Sequence, residues 1–226
     1  MCEGRLRKVR HPLGSAPLLH HAMQARRALD PVRTVIVTGH GADLVEKAAR
    51  AWDPDVEVVL QAEQLGTGHA VAQAAPLLAG QEGDAVVRYS DTPFIRAETL
   101  EAMQAARSRH AGVVMGFHHA GQGRYGRLVT TGDDLDRIVE YKDASDEERA
   151  ITLCNSGVIC ADAKVLLELV AALGNDNASG EYYLTDIVEI ARQRGLSAGV
   201  VTCDEAETLG INTRAQLAAA EAAFQS

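Results

Sequence analysis

The chain has 226 residues, of which 46% are hydrophobic and 23% are charged. These values predict one large globular domain, or one domain with a small lobe, and exclude collagen-like, disordered and disulfide-scaffold chains. Lys and Arg total 22 against 31 Asp and Glu, a net charge of −9, so the chain lacks the basic excess of a nucleic-acid-binding protein. No segment approaches the roughly 18 consecutive apolar residues that a membrane span needs. The four cysteines include no CxxC pair, which predicts reduced thiols and a cytoplasmic location.

The first half of the chain alternates short β-branched runs with alanine-rich helical patterns. Each run is almost continuously apolar, which is typical of strands covered on both faces. This alternation predicts parallel βαβ units in a three-layer α/β sheet. The predicted strands are 34–38, 56–60 and 85–89, and the predicted helices are about 17–28, 43–51, 68–78 and 96–107.

The spacing of the predicted strands changes after residue 110. Three runs at 113–117, 126–130 and 136–140 follow one another closely, with Gly and Asp turn residues between the last two. They predict a hairpin or meander beside the parallel sheet. The alternation of helix and strand then resumes: strands are predicted at 153–161 and 198–202, and helices at 163–173, 184–194 and 213–224.

The most informative segment, QAEQLGTGHA, begins at Gln61, after a predicted strand and before a predicted helix. Gly66 and Gly68 would let main-chain amides approach a ligand, and the side chain of Gln61 can pair with a nucleobase edge. The segment is not a dinucleotide fingerprint, because Val71 stands where a third glycine is needed. The alternative interpretation is a tight turn with Thr67 as helix N-cap, and the spacing alone does not decide between the two.

Several polar residues lie at or near the predicted ends of strands. Asp91 follows the strand 85–89, where a carboxylate often holds Mg²⁺ and otherwise caps a turn. Glu140 ends one run and Asn155 interrupts another, and both could bind ligand hydroxyls, although such residues are more often solvated. Asn212 precedes the last predicted helix and could be its N-cap.

Together these segments resemble the N-terminal uridyltransferase domain of the bacterial bifunctional N-acetylglucosamine-1-phosphate uridyltransferase/glucosamine-1-phosphate acetyltransferase. The resemblance runs from about Leu6 to the C terminus and rests on QAEQLGTGHA, VEYKDA from Val139 and NASGEYYLTD from Asn177. It implies a three-layer nucleotide-diphospho-sugar transferase (Rossmann-like) fold, with a mostly parallel sheet and a small antiparallel insertion. It also implies a single nucleotidyltransferase domain over 1–226.

The resemblance implies an activity and a role for each matching residue. UTP and N-acetylglucosamine-1-phosphate would give UDP-N-acetylglucosamine and pyrophosphate, a step of cell-wall (peptidoglycan) precursor synthesis. Lys8 would be the catalytic lysine that neutralises phosphate charge, and Asp91 and Asn212 would hold Mg²⁺ as cofactor. The implied substrate contacts are Gln61, Gly66 and Thr67 at the uracil, and Tyr89, Ser90, Gly126, Glu140, Asn155 and Asn212 elsewhere on the sugar nucleotide.

The sequence also departs from this family. The family begins with a buried strand and a glycine-rich phosphate loop, whereas only seven residues precede Lys8 here. We therefore expect strand edges that are unpaired or paired differently. Ser90 replaces a family glycine, and the trimerising acetyltransferase domain is not represented, so the family trimer is not expected.

Two other functions remain open on these grounds. One is a catalytically impaired remnant that binds a uridine nucleotide weakly. The other is a related nucleotidyltransferase that uses another sugar phosphate, because the residues that imply the sugar are less specific than the QAEQLGTGHA segment.

Overall fold

The computed structural model describes residues 29–39, 41–89, 92, 94–121 and 123–209, together with the backbone of residues 12–13 and 16–17. Pro12–Leu13 (β1) and Ala16–Pro17 (β2) form a short antiparallel pair. The helix predicted over 17–28 therefore does not begin at Pro17, and the rest of it lies outside the described residues. The helix predicted over 213–224 also lies outside them.

A parallel strand–helix–strand unit forms the first part of the described fold. Val35–Thr38 (β3) pairs in parallel with Glu57–Leu60 (β4), and Ala42–Arg50 (α1) connects them. Val45 and Ala49 are one helical turn apart and both are buried, so α1 covers this strand pair with one apolar face. This unit confirms the βαβ prediction to within a residue or two at each end.

The second sheet has six strands and mixed directions. Its strands are Asp84–Val87 (β5), Gly112–His118 (β6), Arg127–Thr131 (β7), Asp134–Val139 (β8), Leu153–Asp162 (β9) and Ala198–Cys203 (β10). The order is β10-β6-β9-β7-β8, with β5 beside β9, and β9 runs antiparallel to both β5 and β6. The β7–β8 hairpin confirms the predicted antiparallel insertion. The run 113–117 was predicted in that insertion, and this was wrong, because β6 pairs in parallel with β10 inside the main sheet.

Helices cover both faces of this second sheet, as the apolar strands predicted. Alternate residues of each strand face opposite sides, so Val114 and Ile159 pack with α5 and α6, whereas Val113 and Val158 pack with α3. None of the helices in the described ranges is long and apolar enough to cross a membrane. The helices are Thr67–Leu78 (α2), Ala97–Arg107 (α3), Asp146–Arg149 (α4), Ala163–Val170 (α5) and Ile187–Gln193 (α6), with 3₁₀ turns at Leu184–Asp186 and Glu205–Thr208.

The sheet is interrupted between β3 and β5. Among the described strands, β3 pairs only with β4, and β5 pairs only with β9. Helix α2 lies over both parts, because it packs against β3 and its Val71 belongs to the same core as Val87 of β5. Within the described part of the chain, the edges of β3 and β5 are therefore not paired with each other.

Candidate active site

Gln61 follows the last residue of β4, and the protein holds its side-chain amide in place. Its main-chain N–H donates to Thr38 O at 2.8 Å, which extends the β3–β4 ladder by one bond. Its Nε2 lies 3.1 Å from Gly66 O and 3.1 Å from His69 Nδ1. The amide predicted to read a nucleobase is thus oriented by its own loop and by the first turn of α2.

Gly66 and Gly68 are required by the chain itself. We expected both glycines to admit a ligand. Gly66 has φ +111°, and a Cβ there would lie 2.6 Å from Tyr182 O. A Cβ at Gly68 would overlap Leu173 Cδ1, and the Gly68 N–H donates to Tyr182 O at 2.8 Å. The physical reason for these glycines is therefore close packing against the segment around Tyr182.

Thr67 is the first residue of α2, and Gly66 occupies the N-cap position without a side-chain cap. The alternative interpretation of Thr67 as helix N-cap was therefore wrong. The Thr67 Oγ1 accepts a hydrogen bond from the Leu184 N–H at 3.0 Å. The hydroxyl proton remains able to donate to a ligand.

A second group of predicted residues meets where β7, β8 and β9 converge. Gly126 O accepts the main-chain N–H of Asn155 at 2.9 Å. A Cβ at Gly126 would lie 3.5 Å from Asn155 Cβ and 3.6 Å from Glu140 Oε1. The structure therefore brings together Gly126, Glu140 and Asn155, which are up to 29 residues apart in the sequence.

Glu140 is the charged member of this second group. The Thr185 hydroxyl donates to Glu140 Oε1 at 3.0 Å. Burial raises the pKa of Glu140, the Thr185 hydrogen bond opposes the rise, and the nearby Asp143 adds to it. Leu184 and Thr185 are consecutive, so one short 3₁₀ turn bonds to both groups: Leu184 to Thr67, and Thr185 to Glu140.

Tyr89 lies two residues after β5 and packs on Gly157, a residue to which the sequence analysis assigned no role. Gly157 has φ +87°, and a Cβ there would lie 2.7 Å from Tyr89 Cδ2 and would overlap the ring edge. The Gly157 N–H donates to Asn155 Oδ1 at 2.9 Å, which leaves the Asn155 amide nitrogen to donate elsewhere. A glycine inside a strand pattern, after Asn and Ser, is the sequence signal for such a close approach.

Arg127 is a second residue that the sequence analysis did not assign to the site. It is 2% exposed and donates to three main-chain carbonyls: Tyr125 O at 2.6 Å, Gly123 O at 3.0 Å and Arg149 O at 3.3 Å. Its guanidinium also lies over the Tyr141 ring, 5.7 Å from the centroid. Arg127 thus fixes the loop that ends at Gly126 and the turn that begins at Glu140.

Four predicted residues lie outside the described residues: Lys8, Ser90, Asp91 and Asn212. The Thr92 hydroxyl donates to Tyr89 O at 3.2 Å, which ties these two described residues together. Within the described ranges, no group of three or more His, Cys, Asp or Glu side chains is placed to hold a metal ion. The predicted metal ligands stay a prediction.

The described part of the site groups seven predicted residues in two places. Gln61, Gly66 and Thr67 lie at the start of α2, and Tyr89, Gly126, Glu140 and Asn155 lie around β9 and its neighbours.

Comparison with known proteins gives concordant results for sequence and for fold. The chain is 70% identical over 220 residues to the bifunctional protein GlmU of Cereibacter sphaeroides, and 59% identical over 221 residues to that of Ruegeria pomeroyi. These alignments cover 97% and 98% of the chain but 48% and 49% of the two relatives. The chain therefore spans about half the length of the curated relatives that it matches.

Solved structures show the same fold at low sequence identity. A UDP-glucose pyrophosphorylase complexed with UDP-glucose superposes with a TM-score of 0.75 at 18% identity, covering 96% of this chain and 90% of the other. A nucleoside-diphosphate-sugar pyrophosphorylase from Vibrio cholerae superposes with a TM-score of 0.70 at 13% identity, covering 97% and 93%. The α/β fold predicted from the sequence is thus confirmed.

The family model of the MobA-like NTP transferase domain matches residues 3–179, which is well over half of the chain. This match includes the loop around Gln61, Gly126 just before β7, and the strand β9 that carries Asn155. The chain therefore belongs to the MobA-like NTP transferase domain family.

Proposed function

We propose that the chain is a sugar-1-phosphate uridyltransferase that forms UDP-N-acetylglucosamine and pyrophosphate from UTP and N-acetylglucosamine-1-phosphate. The observation that carries the proposal is the 3₁₀ turn at Leu184–Thr185, which bonds to the predicted uracil-binding group through Thr67 and to the predicted sugar-binding group through Glu140. A nucleotide sugar has a base at one end and a sugar at the other. One rigid turn between the two groups is the arrangement such a substrate needs.

The base end would be read by Gln61 and by polar groups at the start of α2. The Gln61 amide is pre-oriented by Gly66 O and His69, so little side-chain entropy is lost on binding. Leu60 and Leu65 are 53% and 39% exposed beside this loop and offer apolar surface to a planar ring. The resemblance of the QAEQLGTGHA segment to the uridyltransferase domain supports uracil as the base.

The sugar end would be bound by Glu140 and Asn155, whose polar atoms pair with hydroxyl and amide groups. The half-buried Glu140 carboxylate accepts hydrogen bonds, and the free amide nitrogen of Asn155 donates them. Tyr89 is 38% exposed and presents a ring beside Gly157, which suits contact with a sugar face.

The transfer itself requires cations more than a protein nucleophile. A phosphate oxygen of the sugar phosphate would form a bond to the α-phosphorus of UTP, and the bond to the departing pyrophosphate would break. Lys8 would neutralise the phosphates, and Asp91 and Asn212 offer the carboxylate and amide oxygens that suit Mg²⁺. When bound, Mg²⁺ would supply positive charge at the phosphates. The free thiols of the described cysteines suit a reducing compartment, and we place the reaction in the cytoplasm.

Pyrophosphate release tests this proposal directly. The purified chain is incubated with UTP, Mg²⁺ and N-acetylglucosamine-1-phosphate, and the same assay is run with glucose-1-phosphate and with dTTP. We expect turnover that prefers the N-acetylated sugar and UTP. Glu140→Gln should lower kcat/KM about tenfold or more, because a charged hydrogen-bond acceptor is lost.

The exposed Glu168 provides the matched control, since Glu168→Gln makes the same chemical change on the outer face of α5. It should leave the rate unchanged. Pyrophosphate no higher than background refutes the activity. Calorimetric binding of UDP-N-acetylglucosamine without turnover would instead support the nucleotide-binding remnant.

A further inference from the structure

His69 lies in the first turn of α2, between two glutamine side chains. Its Nδ1 is 3.1 Å from Gln61 Nε2, and its Nε2 is 3.1 Å from Gln73 Nε2. Its ring also lies 6.3 Å from the ring of Tyr182, which belongs to the segment that packs on Gly66. The imidazole is therefore the link between the amide that faces the predicted base and the body of the helix.

Hydrogen-bond valence restricts how these three side chains are arranged. A neutral imidazole has one N–H donor and one lone-pair acceptor, so two amide nitrogens cannot both donate to it. Gln61 Nε2 also donates to Gly66 O at 3.1 Å. Turning the Gln61 amide around would place its Oε1 against Gly66 O, two acceptors in contact, in a loop that is held rigid by Tyr182.

Turning the Gln73 amide brings a contact of the same kind, because its one Nε2 atom lies 3.1 Å from His69 Nε2 and 3.2 Å from His69 O. Gly66 O and His69 O each already accept a main-chain N–H, so these carbonyls do not distinguish the two amides. We assign the turn to Gln73, which keeps Gln61 as the structure orients it and makes His69 Nδ1 an acceptor and His69 Nε2 a donor.

Both hydrogens of Gln61 Nε2 then have protein acceptors, Gly66 O and His69 Nδ1. Within the described residues, no group donates to Gln61 Oε1, so this oxygen is the atom left for a ligand. We propose that His69 is a positioning residue for base specificity: it fixes Gln61 so that an acceptor faces the base and selects a ring N–H. Uracil has that N–H at N3, whereas cytosine has a lone pair there, which would meet the oxygen repulsively.

This inference rests on the proposed function, because it assumes that the base binds at Gln61. It goes further by assigning the selection of a ring N–H to a residue that does not itself contact the base. Removal of the Nδ1 acceptor frees the Gln61 amide to rotate. Discrimination against cytosine should then fall, because either amide face can meet the base.

Three variants separate this role from a merely structural one. In His69→Asn, the Oδ1 atom of the new residue can replace Nδ1 as acceptor, whereas His69→Leu removes the acceptor and keeps apolar bulk. Gln73→Ala is the matched control, since it removes the other neighbour of the ring and leaves the Gln61 contact in place. All four proteins are checked by thermal unfolding.

The measured quantity is the ratio of kcat/KM with UTP to kcat/KM with CTP, together with calorimetric binding of UTP and CTP. We expect His69→Leu to lower the ratio about tenfold or more, and His69→Asn and Gln73→Ala to stay within about threefold of the parent chain. An unchanged ratio in His69→Leu overturns the inference, and so does an equal loss in His69→Asn.

The tautomer of the His69 ring can be measured without an activity assay. Nitrogen-15 NMR of the ligand-free chain should show His69 protonated at Nε2 and unprotonated at Nδ1, and the opposite tautomer overturns the assignment. A parent chain that binds neither UTP nor CTP overturns the proposed function and the specificity role with it. A parent chain that discriminates, with His69→Leu discriminating equally, overturns only the role of His69.

Discussion

At the scale of single residues, the site depends on positions where a side chain would not fit. Gly157 and Gly66 both have positive φ, and both touch a tyrosine: Gly157 contacts the Tyr89 ring, and Gly66 contacts the Tyr182 main chain. The cost of a substitution at such a position has two parts, backbone strain and steric overlap. The two parts can be measured separately when a second glycine has the strain without the overlap.

Gly157→Ala should impair both stability and sugar binding. The new Cβ overlaps the Tyr89 ring at φ +87°, so we expect a loss of about 2 kcal/mol and a rise of about tenfold in KM for the sugar phosphate. Gly132→Ala is the control, because Gly132 has φ +62° with no atom within 4 Å of its Cβ position. Urea unfolding and steady-state kinetics measure both effects. Equal KM values in the two variants would show that Tyr89 does not contribute to binding.

Asp186 should make stability depend on pH. Burial, with help from Glu189, Glu140 and Asp143, raises the pKa of Asp186 to about 6. An aspartate in an unfolded chain titrates near 3.9. The folded state therefore binds the proton more tightly, and stability falls as the pH rises through this window.

Asp186→Asn should consequently stabilise the protein at high pH only. We expect a gain of about 1 kcal/mol at pH 8, reduced by partial solvent exposure, and none near pH 4. Urea unfolding at the two pH values measures it, with Asp176→Asn, an exposed aspartate, as control. A gain of the same size at both pH values would contradict the role of Asp186 ionisation.

At the scale of secondary-structure elements, the loops before β7 and after β8 are held by one buried cation. Arg127 donates to three carbonyls from three different nitrogens, which the planar spread of guanidinium donors allows. Arg127 and Arg149 both contact the Tyr141 ring, with their guanidinium carbons 5.7 and 5.2 Å from its centroid. These contacts place Gly126 and Glu140 beside each other.

Arg127→Lys should destabilise the fold despite keeping the charge. A lysine bonds to fewer of the three carbonyls and leaves the others buried without a donor, so we expect a loss of about 2–3 kcal/mol. Arg137→Lys is the control: Arg137 is 41% exposed and pairs with Glu148 on the hairpin surface, and its effect should stay below about 0.5 kcal/mol. Chemical unfolding measures both. Equal losses would mean that the three carbonyl bonds contribute no more than a surface ion pair.

The positions of strands and helices could be predicted because they depend on local patterns. Apolar β-branched runs predicted β3, β4 and β5 to within about two residues, since such runs gain from burial on both faces. Strand direction could not be predicted in the same way. β9 runs antiparallel between β5 and β6, and nothing within 153–162 encodes which neighbours a strand will pair with.

At the scale of the whole molecule, the predicted site depends on contacts between distant parts of the chain. Thr67 and Leu184 are 117 positions apart, and Glu140 and Thr185 are 45 apart. The structure groups several residues that the family resemblance implied, and their roles stay a prediction. The physical reason for Gly66 was missed, because its partner Tyr182 is remote in sequence. Local sequence patterns identify the residues of such a turn, but they do not identify the remote residues that pack against it.

Thr185→Val tests the connection between the two halves of the site. The change keeps the shape of the side chain and removes the hydroxyl that donates to Glu140 Oε1. That hydrogen bond lowers the pKa of Glu140 against the effect of burial, so its loss should raise the pKa further and shift the acid limb of the kcat/KM profile to higher pH. Thr202→Val, on the exposed part of β10, makes the same change elsewhere and should leave the profile in place. An acid limb that does not move in Thr185→Val would show that ionised Glu140 is not needed for the reaction.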